Sequence, residues 1–139
     1  MEDHREKVTG GCLCGAVRYE VRGKPYKITY CHCLSCRKAT GAPIVAMVMF
    51  RDCEISYSGQ EPQRYDSSPG VRRGFCPTCG TPITWEGEWD GGPIFEFHIS
   101  TLDRPDEYAP DRHAFVRHRI SWFDVADQLP RHEGSSPSA

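Results

Sequence analysis

Cysteine is the residue whose number and spacing in this sequence most strongly suggest chemistry. Short spacings between thiolates are typical of zinc ligands, because the backbone can bring two of them to one ion with little loss of loop entropy. Seven of the eight cysteines form three such clusters, Cys12-x-Cys14, Cys31-x-Cys33-x-x-Cys36 and Cys76-x-x-Cys79. The N-terminal residues lack the apolar core of a secretory signal, and reducing cytoplasm keeps thiols free, so we expect a cytoplasmic protein with metal ligands rather than disulfides.

The first and last clusters together offer four ligands for one zinc ion. In an extended segment residues i and i+2 point to the same face, so Cys12 and Cys14 form one half-site. Cys76-Pro-Thr-Cys79-Gly80 resembles a zinc knuckle and supplies the other half. The combination predicts a closed structural site that contributes directly to folding. A redox pair at Cys76 and Cys79 is the alternative, although no βαβ pattern surrounds it.

The middle cluster, Cys31, Cys33 and Cys36, has no obvious fourth cysteine. Structural zinc sites have four protein ligands, whereas three ligands leave a position for water or substrate. The spacing therefore favours a second, reactive zinc. Two other possibilities stay open at this point: His32 or Cys53 completes a closed site, or the cluster binds no metal.

The order of glycine, proline and short β-rich segments predicts a mainly β fold with one short helix. The helix is expected within Leu34 to Thr40, ending at Gly41. The predicted strands are Ala16–Arg22, Ile28–Cys31, Ile44–Phe50, Glu54–Tyr57, Ile83–Glu86, Ile94–Ile99 and Ala114–Arg117.

Length and charge indicate a single domain without a bias towards nucleic acid or membranes. The chain has 139 residues, a formal charge of −2 and a pI of about 6.3, and no apolar run long enough to cross a bilayer. We predict a zinc-binding domain over residues 1–129. Residues 130–139 have too little apolar content to join a core, which predicts a disordered tail.

Three motifs carry a resemblance to a known family. They are Gly10-Gly-Cys-Leu-Cys-Gly-Ala-Val-Arg-Tyr-Glu20, Tyr30-Cys-His-Cys-Leu-Ser-Cys-Arg-Lys-Ala-Thr-Gly-Ala-Pro43 and Phe75-Cys-Pro-Thr-Cys-Gly80. The chain resembles the glutathione-dependent formaldehyde-activating enzyme and centromere protein V family, and the likeness continues into Ile99–Asp103 and Ser121–Asp124. The resemblance implies a β-tent fold of short antiparallel sheets held by zinc.

The resemblance also implies two zinc sites and a reaction. Cys12, Cys14, Cys76 and Cys79 would hold a structural zinc, and Cys31, Cys33 and Cys36 a catalytic one. The named enzyme of the family is a carbon–sulfur lyase that joins glutathione to formaldehyde, giving S-hydroxymethylglutathione. Glutathione carries two carboxylates, and Arg37 and Lys38 are placed by sequence to meet them.

Other functions remain possible on the sequence alone. The main alternative is a non-enzymatic zinc module that binds a protein partner or a thiol. A methionine sulfoxide reductase would use Cys53 as its nucleophile. A nucleobase deaminase is disfavoured, because it needs a His-x-Glu motif that the sequence lacks. His98, His113 and His118 are candidates for moving protons, and the sequence singles out none of them.

Overall fold

The computed structural model describes residues 6–89 and 91–137, and within them the protein is mainly antiparallel β-sheet. The predicted fold class is therefore confirmed. The described residues form two sheets, of three and seven strands, with one α-helix and three short 3₁₀ helices. None of their helices is long and apolar enough to cross a membrane.

The small sheet consists of β1 (Lys7–Gly11), β2 (Val17–Arg22) and β5 (Glu54–Gly59), with β2 in the centre. β2 alternates buried and exposed residues, as its sequence predicts, and Val17, Tyr19 and Val21 point into the core. The segment between β1 and β2 carries Cys12 and Cys14, so the small sheet fixes the first half-site.

The large sheet has the strand order β10-β3-β4-β9-β8-β7-β6 and is antiparallel except for the pair β10 and β3. Its strands are β3 (Pro25–Cys31), β4 (Val45–Phe50), β6 (Gln63–Ser68), β7 (Val71–Phe75), β8 (Pro82–Trp89), β9 (Gly92–His98) and β10 (His113–Ala114). The second cysteine cluster begins at the end of β3 and the third follows β7.

The only α-helix of the described residues, α1, spans Leu34–Thr40. Cys33 is its N-cap and accepts a hydrogen bond from the Cys36 N–H at 3.3 Å. Gly41 ends the helix with a φ of 72°, a left-handed conformation that glycine adopts without strain. This short helix, with Gly41 as its stop, agrees with the sequence prediction.

Both sheets contribute to the main hydrophobic core. Val17 and Val21 of the small sheet pack in one cluster with Val48, Ile83 and Phe97 of the large sheet. Cys76 belongs to the same cluster, whereas Cys36 packs with Val45 and Met47 in a second, smaller one. The two groups of cysteines therefore lie against different parts of the core.

Three strands were missed by sequence reasoning, and one was placed wrongly. β1 contains two glycines, and β6 is almost entirely polar, so neither has the apolar alternation of a strand. β7 has only Val71 and Phe75 as apolar residues. The predicted strand Ala114–Arg117 is shorter, because Phe115 adopts a φ of 58° and Val116–His118 turns into a 3₁₀ helix.

Residues 130–137, for which the sequence predicts a disordered tail, include backbone groups that are hydrogen-bonded to the rest of the fold. The Pro130 carbonyl accepts a hydrogen bond from the His113 N–H at 2.8 Å, and the Gly134 carbonyl accepts one from Phe115 at 2.7 Å. Ser136 is only 4% exposed. Backbone hydrogen bonds to β10 order this segment without apolar side chains, and we call residues 130–137 the C-terminal strap. Residues 138–139 lie outside the described residues, and the domain boundary at 129 stays a prediction.

Candidate metal centres and an adjoining cavity

The sulfur atoms of Cys12, Cys14, Cys76 and Cys79 all lie within 4.8 Å of one another. The Cys12 and Cys14 sulfurs are 3.6 Å apart, and those of Cys14 and Cys76 are 3.8 Å apart. A tetrahedral zinc with four thiolates requires sulfurs about 3.8 Å apart. The four sulfurs therefore fit a zinc ion, and we call these residues the Cys₄ cluster.

Backbone N–H groups point at the sulfurs of the Cys₄ cluster. Cys76 accepts hydrogen bonds from the N–H groups of Thr78 and Cys79, both at 3.4 Å, and Cys12 accepts one from Val17 at 3.2 Å. Gly80 closes the knuckle with a φ of 80°, a conformation that favours glycine. Such donors stabilise thiolates, which is the form that binds metal.

Thr81 connects the two halves of the Cys₄ cluster. Its hydroxyl accepts a hydrogen bond from the Leu13 N–H and lies 3.1 Å from the Cys79 sulfur. Hydrogen bonds with Thr81 are the main cause that lowers the pKa of Cys79, to about 5. Sequence reasoning missed Thr81, although a hydroxyl residue directly after the knuckle glycine was a usable signal.

Cys31, Cys33 and Cys36 form the second group, with all three sulfurs within 4.8 Å of one another. The Cys31 and Cys36 sulfurs are 3.6 Å apart. Hydrogen bonds with Cys31 and Cys36 lower the pKa of Cys33 well below its usual range, and the charge of Arg73 acts in the same direction. The three-sulfur donor set fits zinc, and we call it the Cys₃ cluster.

Neither His32 nor Cys53 completes the Cys₃ cluster. Among residues 6–89 and 91–137, no other histidine, cysteine or carboxylate places a ligand atom within this group. His32 points its Nε2 at His113 Nδ1, 2.9 Å away, and Cys53 packs against the main core. The possibility of a closed second site with either residue is therefore not supported.

A cavity of about 500 Å³ adjoins the Cys₃ cluster and is lined by all three of its cysteines. Its floor is one face of the large sheet. One wall is the first turn of α1, with Leu34 and Ser35, and another is formed by Phe115, His118 and the C-terminal strap. The side of the cluster without a protein ligand thus has room for a small molecule.

Five residues that face one another across neighbouring strands form the cavity floor. Directly opposite residues in antiparallel strands share a face of the sheet. The cross-sheet row consists of Lys27, Met49, Glu96, Trp85 and Arg73. It places two cations and one carboxyl group on the floor of the cavity.

Both cations of the cross-sheet row are held by described residues. The Arg73 guanidinium donates to the Cys36 sulfur through both terminal nitrogens, each at 3.8 Å. Lys27 Nζ donates to the Ser136 carbonyl at 3.2 Å, so the strap is tied to the cavity floor. Arg73 places positive charge beside the thiolates, where a cluster of three anionic sulfurs needs it.

Comparison with known proteins identifies the family. The model of the glutathione-dependent formaldehyde-activating enzyme family matches residues 7–118. The chain belongs to this family. A Halomonas elongata protein, provisionally named a glutathione-dependent formaldehyde-activating enzyme, is 27% identical over 128 residues, 84% of this chain and 79% of the relative.

Two further proteins are similar over part or most of the chain. An uncharacterized lyase of Schizosaccharomyces pombe is 31% identical over 74 residues, so the match spans 53% of each chain. A crystal structure of a Rhodobacter sphaeroides protein has a TM-score of 0.53 and 18% identity, covering 88% of this chain and 98% of that chain. The likeness to the Rhodobacter protein is one of fold alone.

Within this formaldehyde-activating-enzyme fold, the residues expected to hold glutathione do not line the cavity. Neither Arg37 nor Lys38 is among its lining residues, and Lys38 borders a neighbouring recess together with His98. Lys27 and Arg73 are the basic residues of the cavity floor. Sequence reasoning missed them, because both come to the Cys₃ cluster only through strand pairing.

The three candidate histidines occupy different places. His118 is exposed at the rim of the cavity, where its ring stacks on Phe115. His98 is buried on β9 and His113 is buried behind the Cys₃ cluster; neither lines the cavity. None of them has the position on the cavity floor that Glu96 has.

Proposed function

We propose that this chain is a zinc-dependent carbon–sulfur lyase that joins glutathione, or a similar small thiol, to formaldehyde and releases S-hydroxymethylglutathione. The observation that carries the proposal is the open side of the Cys₃ cluster, which faces a cavity of about 500 Å³. Membership of the formaldehyde-activating family and the names of the relatives supply the substrates.

The two cysteine clusters take different roles in this proposal. The Cys₄ cluster holds a structural zinc and the Cys₃ cluster a catalytic one, so each chain binds two ions. Zinc held by three protein ligands supplies a Lewis acid that lowers the pKa of a thiol in the fourth position. All eight cysteines belong to the described residues and none of them forms a disulfide, which suits the reducing cytoplasm, where we place the protein.

The chain's own residues bind and orient the thiol. Lys27 and Arg73 attract its carboxylates, and the strap, Phe115 and α1 exclude water from the reacting atoms. Holding thiol and aldehyde together replaces a bimolecular encounter by a positioned one, which is a large part of catalysis for an addition of this kind. Nothing in this scheme calls for nucleic acid or a membrane.

The proposal is tested on zinc-loaded protein titrated with glutathione, cysteine and other small thiols, followed by formaldehyde. Cobalt in place of zinc makes the Cys₃ cluster visible, and its absorption should shift when a thiol binds. Exchange spectroscopy by NMR then measures adduct formation above the spontaneous rate. Cys36→Ser should lose the spectral shift and the rate, whereas Cys53→Ser should keep both.

Two results would decide against the proposal. Absence of a thiol effect on the spectrum, together with no rate above the spontaneous one, would favour a non-enzymatic zinc module. Loss of activity in Cys53→Ser with an intact Cys₃ cluster would point instead to Cys53 as a nucleophile.

A further inference from the structure

Glu96 occupies the centre of the cavity floor. It lies on β9 directly opposite Met49 of β4 on one side and Trp85 of β8 on the other. Lys27 of β3 lies beyond Met49 and Arg73 of β7 lies beyond Trp85. Each is two strands away from Glu96, which is about 10 Å at the usual spacing of strands. The carboxyl group thus has uncharged neighbours and cations at a distance on both sides.

Glu96 is the only carboxyl group among the described residues that line this cavity. Within residues 6–89 and 91–137 it makes no side-chain hydrogen bond and no ion pair. Glu86, a buried glutamate of the same sheet, differs, because Arg64 and Arg72 bind it at 3.2 and 2.9 Å. Glu86 has the contacts of a structural ion pair, whereas Glu96 has a free carboxyl group in a ligand-sized space.

The surroundings of Glu96 favour proton exchange near neutral pH. Burial is the main cause that raises the pKa of Glu96, to about 7. The charges of Lys27 and Arg73 lower this pKa, and the charge of Cys33 raises it. The other polar residues that line the cavity are the exposed His118 and the hydroxyl residues Thr29, Ser35, Ser67, Ser68, Ser135 and Ser136. His98 lies two residues along the same strand and does not line it. A carboxyl group of this kind is well matched to general acid–base work, which is most efficient when the pKa lies near the working pH.

The other proton carriers of the molecule are placed less well. His118 is exposed at the rim of the cavity. His32 and His113 are hydrogen-bonded to each other and do not line the cavity. Glu96 is therefore the group of the floor that can exchange protons with a bound ligand.

We propose that Glu96 is the catalytic acid–base of the addition: it takes the proton of the thiol and delivers it to the carbonyl oxygen of formaldehyde. As the sulfur–carbon bond forms, the carbon–oxygen π bond breaks and its electron pair is protonated to give the hydroxymethyl group. In the reverse direction the carboxylate takes the hydroxyl proton and returns it to sulfur. No oxidant or reductant is required. This assignment rests on the proposed function.

The test compares Glu96→Gln and Glu96→Asp with Glu88→Gln as a matched control, because Glu88 is an exposed glutamate on β8 that does not line the cavity. We expect Glu96→Gln to lower the rate above background by about 10²-fold or more while zinc content and thiol binding are kept. The acidic limb of the pH–rate profile should disappear in Glu96→Gln and remain, with a lower rate, in Glu96→Asp. Glu88→Gln should match the wild type.

A second measurement reads the carboxyl group without turnover. Infrared difference spectra of the zinc-loaded protein should show a protonated carboxyl band that titrates near pH 7 and is missing in Glu96→Gln. If wild type accelerates the reaction and Glu96→Gln does so equally with the same pH profile, the Glu96 assignment falls alone. If wild type neither binds thiols nor accelerates the reaction, the proposed function falls with it.

Discussion

His32 Nε2 lies 2.9 Å from His113 Nδ1, and both rings are 1% exposed. The other nitrogen of His113 lies 3.0 Å from the Asp127 carboxylate, which also accepts hydrogen bonds from the Leu129 N–H and from Arg131. Because His32 stands between two cysteines of the Cys₃ cluster, this buried chain of hydrogen bonds links the cluster to β10 and to the segment before the strap.

Breaking the histidine chain should destabilise the protein. His113→Leu leaves the buried Nε2 of His32 without a partner and removes one of the contacts of Asp127, at a cost of about 1–3 kcal/mol. Urea unfolding at a fixed free zinc concentration measures the loss, and chelator should remove zinc from the Cys₃ cluster faster than in wild type. His132→Leu, a partly exposed histidine of the strap, is the control and should change stability by less than about 0.5 kcal/mol. Equal stability of His113→Leu and wild type would contradict this role.

The two clusters should respond differently to loss of a cysteine. Cys76→Ser removes a fully buried ligand of the Cys₄ cluster, and we expect unfolding, because structural zinc binding is worth about 10–16 kcal/mol. Cys36→Ser should leave a folded protein with one zinc per chain, since the Cys₃ cluster packs on a small satellite of the core. Zinc analysis and circular dichroism measure both outcomes, with Cys53→Ser expected to keep two ions. Two tightly held ions in Cys36→Ser would refute the division of roles.

Arg73 and Arg72 are neighbours on β7, and only the first of them is expected to contribute to thiol binding. Arg73 faces the cavity and the Cys36 sulfur, whereas Arg72 binds Glu86 at 2.9 Å on the other face of the sheet. Arg73→Ala should weaken glutathione binding by ten- to a hundredfold, about 1.5–3 kcal/mol for a lost charged hydrogen bond. Calorimetric titration at verified zinc content measures this, and Arg72→Ala should bind glutathione as wild type does. Similar losses in both variants would argue against a carboxylate site at Arg73.

The strap should be required for a closed cavity. A chain ending at Leu129 loses the hydrogen bonds that the amides of Phe115 and Val116 donate to Gly134 and His132, at 2.7 and 2.9 Å. Those two amides should then exchange hydrogen freely, and thiol affinity should fall about tenfold, or ~1.4 kcal/mol. A chain ending at Pro137 is the matched control. Unchanged exchange in the shorter chain would show that the strap does not order this wall.

His98 gives stability a defined pH dependence. Burial, followed by the charge of Arg73, lowers the pKa of His98 to about 4. Below a pH of about 6.5 the unfolded chain protonates this histidine while the folded protein does not, so stability falls as the pH falls from about 6.5 towards 4. The contribution is at most ~1.4 kcal/mol per pH unit. The free energy of unfolding should depend less steeply on pH in His98→Gln than in wild type. Contributions from the cysteines and from zinc are the same in both proteins and cancel in the comparison. An identical slope would exclude His98 as the cause.

The sequence predicts best what depends on neighbouring residues. The spacing of Cys76 and Cys79 and the stop at Gly41 are local features, and the structure has the knuckle and α1 where they indicate. The sequence does not reveal Glu96 and Arg73, because only the register of β7, β8 and β9 brings them to the cavity that Cys36 also lines. The strap was missed for a related reason: its order comes from backbone hydrogen bonds to β10, which leave no apolar pattern in the sequence.

The chain order of these parts also bears on how the protein is made. All seven clustered cysteines precede Gly80, whereas β9, which carries Glu96, and the strap leave the ribosome later. Synthesis proceeds at about 5–20 residues per second. For a few seconds all seven clustered cysteines have therefore been synthesised, whereas β9 and the strap, which complete the floor and one wall of the cavity, have not. Metal delivery during that interval would meet exposed ligands, so a metal chaperone working on nascent chains would have easier access than one acting on the finished protein.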